Sequence, residues 1–230
     1  MPTIVFASSK GGVGKTTSAM MLAFVLARHG VPITVIDADP NHPIGLWAER
    51  YPDALPERMK LRTAIGSDVA DAIDEADTPF IIVDLEGTKN IEVSVGLGRA
   101  DLALIPMRGS QFDADEAASV IRLIRRQETI FRRTIPYRVF LSATSPIGDD
   151  RSARRLAAQF HDSNIPMLKT SLVERAAFRT PFNIGRSLYD LTARDVRSPE
   201  TAIANAEAFA LEIRDVLKST ANHAQEIAHV

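Results

Sequence analysis

Short apolar runs alternate along the chain with stretches in which apolar residues recur at helical spacing. Strands that alternate with helices are typical of an α/β fold, in which helices cover both faces of a mostly parallel central β-sheet. We predict one domain over residues 1–220 and a loosely ordered tail at 221–230. The predicted strands are 3–8, 32–39, 59–64, 80–87, 100–107, 137–143 and 165–172. The predicted helices are 16–30, 67–76, 113–131, 150–163 and 199–220.

The first predicted strand leads into a glycine-rich loop, "SSKGGVGKTTS", at residues 8–18. Such a loop lets backbone N–H groups converge on phosphate oxygens, and the N-terminus of the following helix adds partial positive charge. Lys15 is then placed to reach the terminal phosphates, and the Thr16 hydroxyl to ligate Mg²⁺. A second lysine, Lys10, stands at the mouth of the loop, where phosphate binding does not require one. The predicted nucleotide-binding residues are Lys10, Gly11, Gly12, Val13, Gly14, Lys15, Thr16 and Thr17.

Three aspartates follow predicted strands, at the sheet edge where α/β proteins bind their ligands. Asp84 ends the apolar run "FIIV" and is placed to hold the Mg²⁺ shell through water. Asp37 and Asp39 end "TVIDAD", and Pro40 keeps Asp39 extended, which suits a group that orients water beside a γ-phosphate. We predict metal contacts from Thr16, Asp37 and Asp84, although one of two neighbouring acids can serve only as a partner of the true ligand. The competing interpretation is a turn with a helix-capping role.

The composition excludes several classes of protein. The chain contains no cysteine, which rules out disulfides and cysteine-ligated zinc or iron–sulfur centres. No charged leader precedes a long apolar stretch, and no apolar run approaches about 18 residues, so we expect a cytoplasmic protein. The net charge is -2, yet residues 116–200 hold 15 Lys/Arg and 9 Asp/Glu. That local excess fits a nucleic-acid surface or, alternatively, scattered solvated arginines.

The motifs resemble those of one family along almost the whole chain. "KGGVGKTT" resembles the deviant phosphate loop of the ParA/MinD class of P-loop ATPases, "DADPN" its second motif and "IIVDLEG" its third. The blocks "IPMRGSQFDADEA" and "RAAFRTPFNIGRSLYDL" resemble later parts of short ParA proteins that lack an N-terminal helix-turn-helix, including the ParF and VirC types. One departure is that Leu85-Glu86-Gly87 follows Asp84, where ParA proteins often carry Asp-x-Pro-Pro.

This resemblance implies a slow ATPase that uses ATP/ADP and Mg²⁺, with Lys10, Lys15 and Asp39 as its catalytic residues. In the family, the lysine at the position of Lys10 crosses a dimer interface to the partner's phosphates, which implies an ATP-sandwich homodimer. The ATP-bound dimer is expected to bind DNA non-specifically on the nucleoid and to drive partition of DNA or another cargo. A small ParB-like partner is expected to stimulate hydrolysis. The arginines that the resemblance assigns to DNA are Arg175, Arg179 and Arg186.

Several alternatives stay open from the sequence. The three arginines would be neutralised if they formed ion pairs with the nearby acids Glu174, Asp190 and Asp195. A VirC-type ATPase of conjugative DNA transfer carries the same motifs, and ligases of the dethiobiotin synthetase kind share the fold and a related loop. The MinD branch ends in a basic amphipathic helix that binds membranes. This chain has no Lys or Arg after Lys218, so we expect no membrane attachment.

Overall fold

Seven parallel strands form one sheet at the centre of the molecule. The computed structural model describes residues 1–87, 91–144 and 151–228. The strands are β1 (Thr3–Phe6), β2 (Ile33–Ala38), β3 (Met59–Thr63), β4 (Phe80–Leu85), β5 (Leu102–Met107), β6 (Tyr137–Thr144) and β7 (Leu172–Val173). They lie in the order β3-β2-β4-β1-β5-β6-β7, and each neighbouring pair is parallel. The predicted α/β fold with a parallel central sheet is confirmed.

Helices cover both faces of the sheet, because alternate residues of a strand point to opposite sides. Ile4 and Phe6 enter the apolar core on one face, and Val5 enters the core on the other. The first core is closed by α1 (Lys15–Arg28), α2 (Pro43–Arg50), α7 (Ala176–Ile184) and α8 (Pro199–Ala228). The second is closed by α3 (Asp68–Asp74), α4 (Ile91–Gly98), α5 (Gln111–Phe131) and α6 (Arg151–Asp162). Single 3₁₀ turns occupy Pro52–Ala54 and Leu188–Asp190.

The sequence pattern does not predict the short helices α2, α4 and α7. Each has only eight or nine residues, a length at which helical periodicity is hard to distinguish from chance. Helix α7 also carries Pro181 in its interior, which argues against a helix when it is read from sequence alone. All three are therefore stabilised by tertiary packing rather than by local pattern.

The segment before β7 is less regular than predicted. A strand is expected over 165–172, but β7 comprises only Leu172–Val173. The carboxylate of Glu212 on α8 accepts hydrogen bonds from the backbone N–H groups of Lys169 and Thr170, each at 2.7 Å. These two N–H groups thus donate to a side chain of α8 instead of to the carbonyl groups of a neighbouring strand.

The last helix is longer than predicted. Helix α8 continues through Ala228, beyond the predicted helix end at residue 220. The single domain over 1–220 and the loosely ordered tail at 221–230 stay predictions. The added stretch contains neither Gly nor Pro and includes the good helix formers Ala, Gln and Glu, which explains the continuation. Within the described part of the chain, no helix combines the length and the apolar character that crossing a membrane requires.

The strand order opens a crevice beside β1. After β1 the chain passes β4 to reach β2, whereas after β5 it moves in the opposite direction along the strand order to β6. The loops after β1 and β5 therefore diverge, which creates the switch point where open α/β sheets bind ligands. The glycine-rich loop follows β1 and the N-terminus of α5 follows β5, so these two segments border the crevice.

Candidate functional site

The glycine-rich loop ends at Gly14, which is the N-cap residue of α1. Gly12 and Gly14 have φ angles of 76° and 89°, in the left-handed region that favours glycine. No side chain caps α1, so its first N–H groups are left to bind an anion. The Ser142 hydroxyl at the end of β6 donates to the carbonyl of Val13 at 2.5 Å and holds the loop against the sheet.

A buried ion pair lies at the inner end of this loop. The Nζ atom of Lys15 is 2.7 Å from Oδ1 of Asp84, and the two side chains are 7% and 0% exposed. Burial raises the pKa of Asp84, while the charge and hydrogen bond of Lys15, and then the Thr16 hydroxyl, oppose that rise. The second carboxylate oxygen, Oδ2, is buried without a hydrogen-bond partner. An acceptor without a partner beside a hydroxyl suits a hydrated Mg²⁺, so Thr16 and Asp84 fit the predicted metal role.

Asp37 lies beside Asp84 in the sheet, because their Cα atoms are partners across β2 and β4. Its buried Oδ2 accepts hydrogen bonds from the backbone N–H groups of Ile44 and Gly45, at 2.8 and 3.0 Å. These N–H groups belong to the first turn of α2, so Asp37 caps that helix. Burial raises the pKa of Asp37 despite these hydrogen bonds. Asp37 therefore has the helix-capping role that was the competing interpretation. The metal contact predicted for Asp37 stays a prediction.

Asp39 occupies a tight turn just after β2. Its Oδ1 accepts hydrogen bonds from both the backbone N–H and the side-chain amide of Asn41, each at 2.9 Å. Its own carbonyl accepts from the N–H of His42, which has φ 43° and is the N-cap residue of α2. The turn places Asp39 at the same sheet edge as Asp37. Its side chain is half-buried, so one carboxylate oxygen stays available at the crevice.

The outer end of the loop is tied to α5. Lys10 is half-exposed, and its Nζ is 3.2 Å from Oδ1 of the buried Asp113. Although burial acts to raise the pKa of Asp113, hydrogen bonds from Ser110 and Lys10 bring it below its usual value. The Ser9 hydroxyl hydrogen-bonds the Glu116 carboxylate, also on α5. In this structure, Lys10 therefore has a partner within its own chain.

Sequence reasoning missed two residues that position the loop, Ser142 and Asp113. Ser142 lies at the carboxyl end of a predicted strand, so the argument that singled out Asp84 applies to it. Asp113 begins the predicted helix 113–131, whose N-terminus follows a strand and so faces the same edge of the sheet. A small cavity of about 90 Å³ also adjoins the loop. The residues that line it include Gly14, Thr17, Arg108, Ala143, Arg175 and Phe178.

The three arginines predicted to contact DNA lie on α7 or directly beside its ends, and they have different surroundings. Arg175 is the N-cap residue of α7, lines the cavity beside the loop, and has a buried Nε without a hydrogen-bond partner. Arg179 pairs with Glu174 at 2.8 Å. Arg186 pairs with Asp195 at 3.2 Å. Two of the acids named as competing partners are thus engaged, and DNA contact by these arginines stays a prediction.

Among the described residues, no cluster of three or more Asp, Glu or His side chains could hold a metal ion. Any Mg²⁺ in this crevice would therefore need ligands beyond acidic side chains, namely the Thr16 hydroxyl, waters and phosphate oxygens. This is the usual arrangement for Mg²⁺, which keeps several waters and binds through one or two carboxylates together with substrate phosphates.

Comparisons with known proteins agree with this geometry. A family model described as VirC1 protein matches residues 1–226. The chain is 36% identical to Protein ParA of Rhizobium radiobacter over 216 residues, which are 93% of this chain and 96% of that protein. The MinD cell division protein of Aquifex aeolicus has a TM-score of 0.68 and 21% identity, covering 91% of this chain and 97% of that one. An ATP complex of Cyanothece McdA(D38A) has a TM-score of 0.66 and 18% identity, covering 90% and 96%.

Proposed function

Because this chain belongs to the VirC1 family, within the ParA/MinD class of P-loop ATPases, we propose that it hydrolyses ATP to position or partition a cargo. One observation carries the proposal. The loop between β1 and α1 joins an uncapped helix N-terminus and a buried lysine–aspartate pair to a second, half-exposed lysine. A ligase of the dethiobiotin synthetase kind would use the first two features but gives no role to Lys10.

The nucleotide is ATP, held at the N-terminus of α1. The N–H groups of the loop and the ammonium of Lys15 bind the terminal phosphates, whose charge then competes with Asp84 for that ammonium. Thr16 and the unpartnered Oδ2 of Asp84 hold Mg²⁺, directly or through water. Bound Mg²⁺ neutralises phosphate charge and orients the terminal phosphate. The ATP complex of McdA, a protein of the same fold, supports this choice of nucleotide.

Asp39 orients the water that attacks the γ-phosphate. Its position after β2 puts a half-exposed carboxylate at the crevice, and Asn41 fixes one of its oxygens. The other oxygen is left to accept a hydrogen bond from water. Positioning by a carboxylate of this kind contributes about 10²- to 10⁴-fold to a rate.

Lys10 completes the site of a second copy of the chain. Two ATP molecules buried face to face concentrate negative charge, and one lysine from each subunit offsets it. Lys10 is half-exposed, so its ammonium is partly solvated even while it pairs with Asp113. When Lys10 turns to the partner's phosphates, the buried Asp113 carboxylate keeps the hydrogen bond from the Ser110 hydroxyl.

The ATP-bound dimer binds DNA non-specifically, and a partner protein of the ParB kind switches it off by stimulating hydrolysis. The cargo is a DNA molecule or a DNA-bound complex. The match to the VirC1 family model favours a second candidate within this class, an ATPase that serves conjugative DNA transfer. The two candidates share the nucleotide switch and differ in the DNA that is delivered.

The switch is tested with Asp39→Ala, mixed with ATP and Mg²⁺ and followed by light scattering and phosphate release. We expect the variant to bind ATP, to form the dimer, and to hydrolyse ATP at least about 100-fold more slowly than the wild type. Asp162→Ala, which removes an exposed aspartate at the end of α6, is the control and should behave as the wild type. A wild-type protein that stays monomeric with ATP would contradict the proposed switch.

A further inference from the structure

Helix α5 carries a row of arginines on the side that faces away from the sheet. Arg122, Arg125 and Arg126 are exposed, while Ile121 and Ile124 between them are buried in the core. The spacing of three and four residues places the three guanidinium groups on one face of the helix. We call Arg122, Arg125 and Arg126 the α5 arginine surface.

These arginines have no acidic partner on their own helix, because its acids are engaged elsewhere. Asp113 binds Lys10 and Ser110, Asp115 binds Gln111, and Glu116 binds Ser9. Glu128 is one turn beyond Arg125, but its Oε1 accepts a hydrogen bond from the backbone N–H of Ile135 at 2.9 Å. Among the described residues, the ion pairs and side-chain hydrogen bonds include none from the α5 arginine surface.

An arrangement of three like charges is unfavourable for an isolated chain. Like charges three or four residues apart destabilise a helix, and within the described part of the chain no ion pair compensates these three. Arg179 and Arg186, by contrast, are already neutralised by Glu174 and Asp195. The α5 arginine surface is therefore a cluster within the basic region at 116–200 whose charge is left for an external anion.

We infer that the α5 arginine surface binds the phosphate backbone of duplex DNA. This inference rests on the proposed function, because the ATP-dependent dimer supplies two copies of the surface. Gln127, the amide next to the arginines that could read a base edge, is buried, so the surface presents guanidinium groups and no base-reading amide. Guanidinium contacts to phosphates position a protein on DNA without selecting sequence. The expected binding is therefore non-specific.

The dimer explains why such a surface would respond to ATP. Three phosphate contacts give a slope of about -2.7 for log K against log salt, and six give about -5.4. One protomer therefore binds weakly at physiological salt, and two copies on one dimer bind far more tightly. Helix α5 begins at the residues that hold Lys10 and Ser9, so its position is fixed relative to the nucleotide loop.

The test uses R122Q/R125Q/R126Q, with a control that removes three exposed and unpaired charges elsewhere, R58Q/K169Q/K218Q. Filter binding of random-sequence duplex is measured with ATP and Mg²⁺ at about 50 and 200 mM salt. We expect the α5 variant to lose at least about tenfold in affinity at the lower salt, and most of the salt slope. The control should keep both, and R122K/R125K/R126K should bind within a few-fold of the wild type because its charge is retained.

Light scattering of the same samples separates this inference from the proposed function. If the wild type forms no ATP-dependent dimer, the proposed switch fails and this inference fails with it. If the wild type dimerises and binds DNA, but R122Q/R125Q/R126Q keeps the full salt slope, only the α5 arginine surface is refuted, and Arg175, Arg179 and Arg186 become the remaining candidates. If the wild type dimerises but binds no duplex even at low salt, the surface does not serve DNA, and an acidic protein would be the ligand to test.

Discussion

The two ends of the nucleotide loop carry the same kind of ion pair in opposite surroundings. At the inner end, the side chain of Lys15 is 7% exposed and its partner Asp84 is fully buried. At the outer end, the side chain of Lys10 is 51% exposed, although its partner Asp113 is buried. Removing Lys15 leaves a fully buried carboxylate without its cation, which costs about 3–5 kcal/mol. The inner lysine is thus part of the folded core. At the outer end, the ammonium of Lys10 is half solvated and Asp113 keeps the hydrogen bond from Ser110, so the outer lysine can change partners at a smaller cost.

The largest effect is expected from Lys15→Ala. The variant should lose about 10- to 100-fold in ATP affinity, since a charge-assisted contact contributes about 1.5–3 kcal/mol. It should also be less stable, because the Asp84 carboxylate is left buried without its cation. The lost lysine no longer opposes burial, so the pKa of Asp84 rises further. A carboxyl group with a raised folded-state pKa favours folding at low pH, so we expect the variant to lose stability as the pH rises through that pKa.

Lys60→Ala is the matched control for this prediction. Lys60 pairs with Asp77 at the same 2.7 Å, but both side chains are exposed. Its removal should leave the urea unfolding midpoint and ATP binding close to those of the wild type. Equal destabilisation by the two variants would show that burial does not distinguish these pairs, and near-normal affinity in Lys15→Ala would refute the assignment of the loop.

Lys10→Ala should have a smaller and different effect. The variant should bind a fluorescent ATP analogue within about threefold of the wild type, because Lys10 lies outside the cradle of its own nucleotide. It should not dimerise with a slowly hydrolysed analogue and Mg²⁺, which light scattering detects. Lys10→Arg keeps the charge but changes its shape, so partial dimerisation is expected. An intact ATP-dependent dimer of Lys10→Ala would remove the cross-subunit role.

The sequence predicts the inner end of the loop better than the outer end. Asp84 and Lys15 belong to motifs in which strand, loop and helix follow one another directly, so local pattern places them. The contacts of Lys10 come from Asp113, which is 103 residues away and is buried by a fold-level contact between α5 and the loop. Helix α2 is missed for a different reason. It has only eight residues, and its cap is the carboxylate of Asp37, which precedes Ile44 by seven residues and so lies outside the usual N-cap position.

The capping role of Asp37 is tested by comparing two substitutions. Asp37→Ala leaves the first N–H groups of α2 without their acceptor and should cost about 1 kcal/mol in urea unfolding. Asp37→Asn keeps an acceptor oxygen and removes a buried charge. Because burial raises the pKa of Asp37, the ionised carboxyl lowers stability as the pH rises through that pKa, so Asp37→Asn should be at least as stable as the wild type at neutral pH.

The same pair of variants separates capping from metal binding. If Asp37 also contacts Mg²⁺ or its waters, Asp37→Asn will need more Mg²⁺ for ATP-dependent dimerisation although its fold is intact. If Asp37→Asn dimerises at the same Mg²⁺ concentration as the wild type, Asp37 acts only as the cap of α2. Equal destabilisation of the Asn and Ala variants would contradict the cap itself.

The smallest effect is expected at Gly87, where the chain departs from the family pattern. A Cβ atom there would lie 3.1 Å from the carbonyl carbon and oxygen of Lys10 and 3.2 Å from the N atom of Gly11. Gly87→Ala should therefore shift the outer end of the loop by a few tenths of an ångström and weaken ATP-dependent dimerisation by about three- to tenfold, while the monomer's ATP affinity changes little. Gly11→Ala is the comparison within the nucleotide loop, since a Cβ there meets no protein atom within 4 Å. If both variants weaken the dimer equally, backbone freedom of the loop rather than close packing by Gly87 positions Lys10. If neither does, the departure after Asp84 has no bearing on the outer end.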